Sequence, residues 1–496
     1  MLSLPYGALF VYFLRDKSAF CVLFSFFLFM NNFRFTKMIA GVSPLLAKET
    51  VLSKIINMVD AFTITLSSGF DDQNRKYINT LMNLDNSKTI ILETKGHDVR
   101  VKNTVDVPLK KGQKITVDFS EYTQDGTSKI YIDYPHLDKL PVGSEISFET
   151  SQTVLKVEKQ IEDYAECVVV ETQNKSVMQY DRVVLAHNEE SQSVLSERDK
   201  KDILRGMEYG IHVLALSACC NAGHVQNTKL FLKEKNMGDM KVLAKIETEE
   251  GYKNLKDIQA VADGIVLIAD MIEPFLGKKT IAQVVREVRD AGKSCFVKYI
   301  KHSSCPDYAF REESLVKDLC AQGIDGLMLE AFILEEEVYP TIDVVLDYMD
   351  KYELQLSKKE VKRFDEEKHE IRDYILYNAY RITKEMDVRA IVCFTENGYT
   401  SSRIATLNPE IPVITFTKSS DTYRFLSLIW WVRGYKISQS FNYENLKRIG
   451  KEMIRIVFKG NISLDDKVLI VHANESDGEV MQDMINGIEL YNFKNM

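Results

Sequence analysis

At 496 residues the chain is long enough for about two to four domains, and its 45% hydrophobic content is ordinary for a soluble globular protein. A formal net charge of −9 excludes a general nucleic-acid binder, which needs a basic face. The eight cysteines show no C-x-x-C spacing and read as reduced thiols of a cytoplasmic protein.

Residues 1–35 stand apart as a hydrophobic segment. Leu9 to Leu14 and Phe20 to Met30 are apolar, separated by Arg15, Asp16 and Lys17. The second run is short for a membrane span. It has the length of a signal core, but no small-residue cleavage site follows it. A targeting segment and a misplaced start, with translation beginning at Met30 or Met38, both remain open, the second favoured.

From Thr36 a rhythm of short β-rich runs and amphipathic helical stretches sets in. Strands are expected at 37–42, 62–66, 89–93, 213–217, 242–246, 264–269, 294–300 and 326–330. Helices are expected at 48–58, 72–82, 197–207, 221–235, 252–261, 280–291, 312–321 and 338–352. Such alternation implies a parallel sheet, and eight units imply a closed (β/α)8 TIM barrel with its active site at the carboxyl ends of the strands. Residues 102–190 break the rhythm with short β runs at 114–119, 129–134, 145–148, 154–157 and 166–171. They read as an inserted small β-barrel domain, placed to act as a lid. The barrel is thus expected in two parts, 36–101 and 191–355. Residues 356–496 follow as a C-terminal α/β domain with strands near 390–395, 413–417, 435–438 and 467–471.

One stretch carries unusual chemistry. Lys245 sits inside the apolar run Val242–Ile246, and Glu247 follows two residues later. Side chains alternate along a strand, so both face the same way. A buried lysine must be paired or used. It is either half of a structural ion pair or a cation for a phosphate beside a carboxylate for a metal.

Local strings resemble the pyruvate kinase family. Residues 92–100 (L-E-T-K-G-H-D-V-R) resemble its L-D-T-K-G-P-E-I-R, and 195–199 (L-S-E-R-D) resemble L-S-E-K-D. Residues 241–251 resemble S-K-I-E-N-x-E-G, 262–265 resemble S-D-G-I, and 391–398 are similar to I-V-x-T-x-S-G. They occur in family order over almost all of 36–496. The resemblance implies phosphoryl transfer from phosphoenolpyruvate to ADP with Mg2+ and K+. Lys245 matches the transfer lysine, and Glu247 and Asp270 match the magnesium carboxylates. Ser67, Glu93 and Thr94 match potassium ligands. Lys95 and Arg100 match substrate-side cations, and Thr395, Thr400 and Ser401 match an effector-phosphate turn. The family's tetrameric habit implies a homo-tetramer, or a hetero-oligomer with an active paralogue.

Several positions depart from the family. Thr63 replaces an arginine that contacts phosphate, and Thr65 replaces a potassium-ligating asparagine. Glu93 is one methylene longer than the family's aspartate. Tyr299 replaces a threonine tied to enolate protonation and is large enough to fill the pocket. The glycine and threonine after the eighth strand are lost at Glu330–Ile333, where Phe332 is a second candidate to fill the pocket. Each lost charge-assisted contact is worth about 1.5–3 kcal/mol. The expectation is therefore a pyruvate kinase-like protein of glycolysis with weak or lost catalysis. The alternative is a non-catalytic paralogue serving as a structural or regulatory subunit.

Overall fold

The computed structural model describes residues 34–42, 47–66, 72–96, 99–103, 105–119, 127–132, 140–148, 151–177, 181–185, 195–299, 306–332, 335–353, 371–437, 443–472 and 487–496. They form two compact units. One holds the chain up to Thr94 and from Arg198 onward, and the other runs Lys95–Glu197.

The first unit opens with β1 (Lys37–Val42), β2 (Ala61–Thr65) and β3 (Thr89–Glu93). The second unit carries β4 (Val99–Arg100), β5 (Val107–Pro108), β6 (Lys114–Asp118), β7 (Lys129–Tyr131), β8 (Glu145–Phe148), β9 (Thr153–Ile161), β10 (Tyr164–Thr172), β11 (Ser176–Val177) and β12 (Arg182–Leu185). The chain then supplies β13 (Val213–Leu216), β14 (Lys241–Ile246), β15 (Gly264–Ile268), β16 (Ser294–Tyr299) and β17 (Gly326–Phe332). Last come β18 (Val388–Phe394), β19 (Val413–Thr417), β20 (Val432–Lys436), β21 (Lys467–His472) and β22 (Gly487–Asn492).

Eight parallel strands close into a barrel in the order β1-β17-β16-β15-β14-β13-β3-β2. They are buried on both faces, which is why β15 and β16 read as near-continuous apolar runs. Alternate residues from every strand meet inside: Ile39, Ala61, Ile91, Val213, Leu243, Val266, Phe296 and Met328 belong to one buried core. Polar caps start the covering helices where the chain leaves the strands. Asn221 caps 222–234, and Thr280 with Gln283 forms a capping box on 281–290. The helix expected at 252–261 is two helices, 249–253 and 255–261. They meet at Asn254, whose amide donates to the Cys220 carbonyl at 2.9 Å.

The second unit is a seven-stranded sheet, β4-β12-β8-β9-β10-β6-β7. A single bridge, Val101 to Ile132, joins its two edges, so the sheet curls closed over its own core.

In the C-terminal part, β18 to β21 form a parallel sheet edged by antiparallel β22. That edge strand was not anticipated from the sequence. This domain and the barrel share a core, with Leu428 and Ile429 in the same cluster as the barrel interior. Arg403 lies at the turn preceding β16, where Gly292 has φ +82° and a β-carbon would clash with the guanidinium. Gly292→Ala combines left-handed strain with displacement of Arg403 from Asp373, its partner at 3.1 Å. It should lower stability by about 1–3 kcal/mol in denaturant titration. An unchanged midpoint would show that the guanidinium yields freely.

Among the described residues no helix is long and apolar enough to cross a membrane. Six cysteines there are free thiols, and burial pushes those of Cys167 and Cys219 up to about 12.

Candidate active site

The inward face of each barrel strand follows from its two-residue period. Ile91 in the core places Glu93 on the same face, Ala215 places Ser217, Leu243 places Lys245, and Phe296 places Lys298. These four side chains meet at the carboxyl end of the barrel. Glu93 is fully buried, while Lys245 and Lys298 are 7% and 3% exposed. The Lys298 ammonium donates to both Glu93 oxygens, at 3.0 and 2.9 Å. Lys245 lies 3.1 Å from Oε2 of the same carboxylate and donates to Ser217 Oγ at 2.9 Å. In the ring order, β3 and β16 are four strands apart, passing β13, β14 and β15. The Lys298–Glu93 pair therefore reaches across the lumen.

Burial alone would raise the Glu93 pKa, but the two ammonium groups outweigh it and hold the carboxyl at about 2. Ser217 ties in β3 through its backbone N–H to Thr94 Oγ1 at 3.0 Å and its hydroxyl to the Thr94 carbonyl at 2.6 Å. Glu247 sits 3.8 Å from Lys245, and its other oxygen accepts from the Ala218 N–H. Ala218 is in the left-handed region at φ +51°, a turn that aims this N–H at the carboxylate.

Lys245, Glu247, Glu93 and Thr94 thus come together at one end of the barrel. Asp270 stands exposed in the first turn of helix 269–272, directly after β15, the neighbour of β14. Ser67 lies outside the described residues, as do the side chains of Arg100 and Phe332. Lys95 and Arg100 belong to the second unit, where Arg100 pairs with Arg182 in the β4–β12 ladder.

Tyr299 does not fill the pocket. It follows Lys298, so alternation turns it outward, and its hydroxyl donates to Glu312 of helix 306–321 at 2.9 Å. The sequence reading missed Lys298, the residue that does face in. Its signal was available: like Lys245, it is a lysine near the end of a largely apolar barrel strand. Thr63, at the position of the lost arginine, is buried, and its hydroxyl has no hydrogen-bond partner among the described residues.

In the C-terminal domain, Thr395 Oγ1 accepts the Gly398 N–H at 3.0 Å. Thr400 is half-buried in the first turn of helix 399–406. Ser401 is fully buried and receives the Thr415 hydroxyl at 2.8 Å beside Cys393. The contacts of Thr395 and Ser401 support the strand-to-helix turn from within.

Two family descriptions match the chain: "Pyruvate kinase, barrel domain" over residues 33–288 and "Pyruvate kinase, alpha/beta domain" over 373–486. Curated relatives include the pyruvate kinases of Staphylococcus aureus strains MRSA252, USA300 and NCTC 8325 / PS 47. Each is 25% identical over 426 residues, covering 81% of this chain and 71% of the relative.

Proposed function

The chain belongs to the pyruvate kinase family, and from that premise we propose that it is a phosphoenolpyruvate-directed phosphotransferase whose turnover is very low or lost. The observation that carries this is the state of Lys245. Its ammonium is already matched by Glu93 and Ser217. A phosphoryl group approaching it competes with a fully buried carboxylate. Phosphoryl transfer depends on positioned positive charge, and Thr63 offers none where the family has arginine.

Glu247 and Asp270 fit magnesium. They are two carboxylates just beyond the ends of adjacent strands, and such an ion takes its remaining oxygens from substrate and water. When bound there it would supply charge neutralisation at the phosphoryl oxygens. In this reading Lys245 orients the transferring phosphate, Ser217 holds that lysine in place, and the Ala218 amide fixes one oxygen of Glu247.

The arginine lost at Thr63 and the Lys245 ammonium already held by Glu93 are two weakened phosphate contacts; at about 1.5–3 kcal/mol each they correspond to roughly 10²–10⁴ in rate. A lactate dehydrogenase-coupled assay with phosphoenolpyruvate, ADP and magnesium, run beside an ordinary family member, should show a kcat/KM at least about 10²-fold lower. Lys245→Met should abolish the remainder. Turnover at the ordinary rate would sink the proposal. No turnover, together with copurification of this chain with an active pyruvate kinase, would instead identify a structural or regulatory subunit.

A further inference from the structure

We propose that the Lys298 ammonium takes the place of the family's potassium ion, so that the site carries its own monovalent cation and does not bind potassium. The inference rests on assigning this site to the family and asks a different question from turnover.

The groups that the resemblance assigns to potassium are largely engaged. Glu93 supplies the negative charge, and both of its oxygens contact Lys298, with Lys245 as a second cation on Oε2. The Thr94 hydroxyl and carbonyl both accept from Ser217. Thr65 stands in place of an asparagine, and its hydroxyl is buried without a partner among the described residues, so one neutral oxygen persists beside Glu93 in the β2–β3 register. A neutral oxygen does not offset the repulsion a free cation would meet from two ammonium groups already held on one carboxylate. Potassium therefore does not fit the residues present.

Lys298 is suited to the substitution. An alkylammonium carries the same single charge as potassium and satisfies carboxylate oxygens at similar contact distances. Its placement is built in, because β16 lies opposite β3 in the ring and the side chain spans the lumen to reach Glu93. A tethered cation cannot dissociate, so no salt concentration is needed to fill the position. Glu93, with its extra methylene over aspartate, extends toward the partner that must reach it.

The test is melting temperature of the full chain, titrated with potassium chloride against tetramethylammonium chloride at constant ionic strength. A ligand that binds only the folded state raises the melting temperature as its concentration passes Kd. The wild type should show no potassium-specific rise. Lys298→Ala, which opens the position while keeping Glu93, should show a saturable rise with potassium and none with tetramethylammonium. Lys298→Met, which refills the space without charge, should be less stable than wild type and should respond to potassium less than the alanine variant. A saturable potassium effect on the wild type overturns the proposal, and this arm stands even if the variants fail to fold. A folded Lys298→Ala that ignores potassium overturns it as well, because the site was then never shaped for a cation. Ordinary turnover would defeat the functional reading above without changing any of these melting curves.

Discussion

Glu93→Ala should destabilise the barrel by about 3–5 kcal/mol, measured as the shift of its denaturant midpoint. Removing one partner of a buried ion pair leaves the other charge uncompensated, and that range is usual for the loss. Here a single carboxylate serves two ammonium groups whose side chains are 8% and 4% exposed. Lys245 keeps Ser217 and, at 3.8 Å, Glu247. Lys298 loses the carboxylate whose two oxygens it holds at 3.0 and 2.9 Å. The double variant Glu93→Ala/Lys298→Met should therefore be more stable than Glu93→Ala alone, since an apolar chain of similar length replaces an ammonium that has lost its bidentate carboxylate. A single-variant loss below about 1 kcal/mol, or a double variant no better than the single, would show that water reaches these groups. The pH dependence has a definite sign. The folded carboxyl is depressed from 4.5 to about 2, so the stability it contributes is complete above about pH 4.5 and is lost as pH falls toward 2.

The second large effect lies where the barrel meets the C-terminal domain. Asp325, fully buried just before β17, accepts from the Cys295 N–H at 2.8 Å, the Trp430 N–H at 2.9 Å and the Arg289 guanidinium. Arg289 is 1% exposed and also donates to the Ala405 carbonyl at 2.6 Å and to Asn408 at 2.8 Å. Asp325→Ala should cost about 3–5 kcal/mol by stranding Arg289 and two backbone donors. Arg289→Ala, Asp325→Ala and the double variant form a cycle. Its coupling should exceed about 1 kcal/mol, because each single change already removes the pair. Strict additivity would mean the two side chains act independently, against the geometry.

These two clusters differ in how far the sequence exposed them. The strand carrying Lys245 and Glu247 was legible because β period alone puts both on one face, and the local string around them is recognisable. The clustering of Glu93 and Thr94 with that pair was expected only through family resemblance. Lys298 matches no family site residue, whereas Tyr299 stands at one, and a shift of one residue in a strand exchanges inside for outside. Asp325 and Arg289 carried no motif. Their importance comes from packing against Trp430, Ala405 and Asn408, which belong to another domain.

The sequence by itself determined the alternation of strands and helices, the eight-strand count, the β-rich interruption and the face on which Lys245 lies, because each follows from local periodicity and turn chemistry. Tertiary structure alone decided which charges neutralise one another. Glu93 and Lys298 are 205 residues apart and lie on opposite walls of the barrel. Closure of the ring is what brings them within 3 Å, where low polarity around them makes the pairing obligatory.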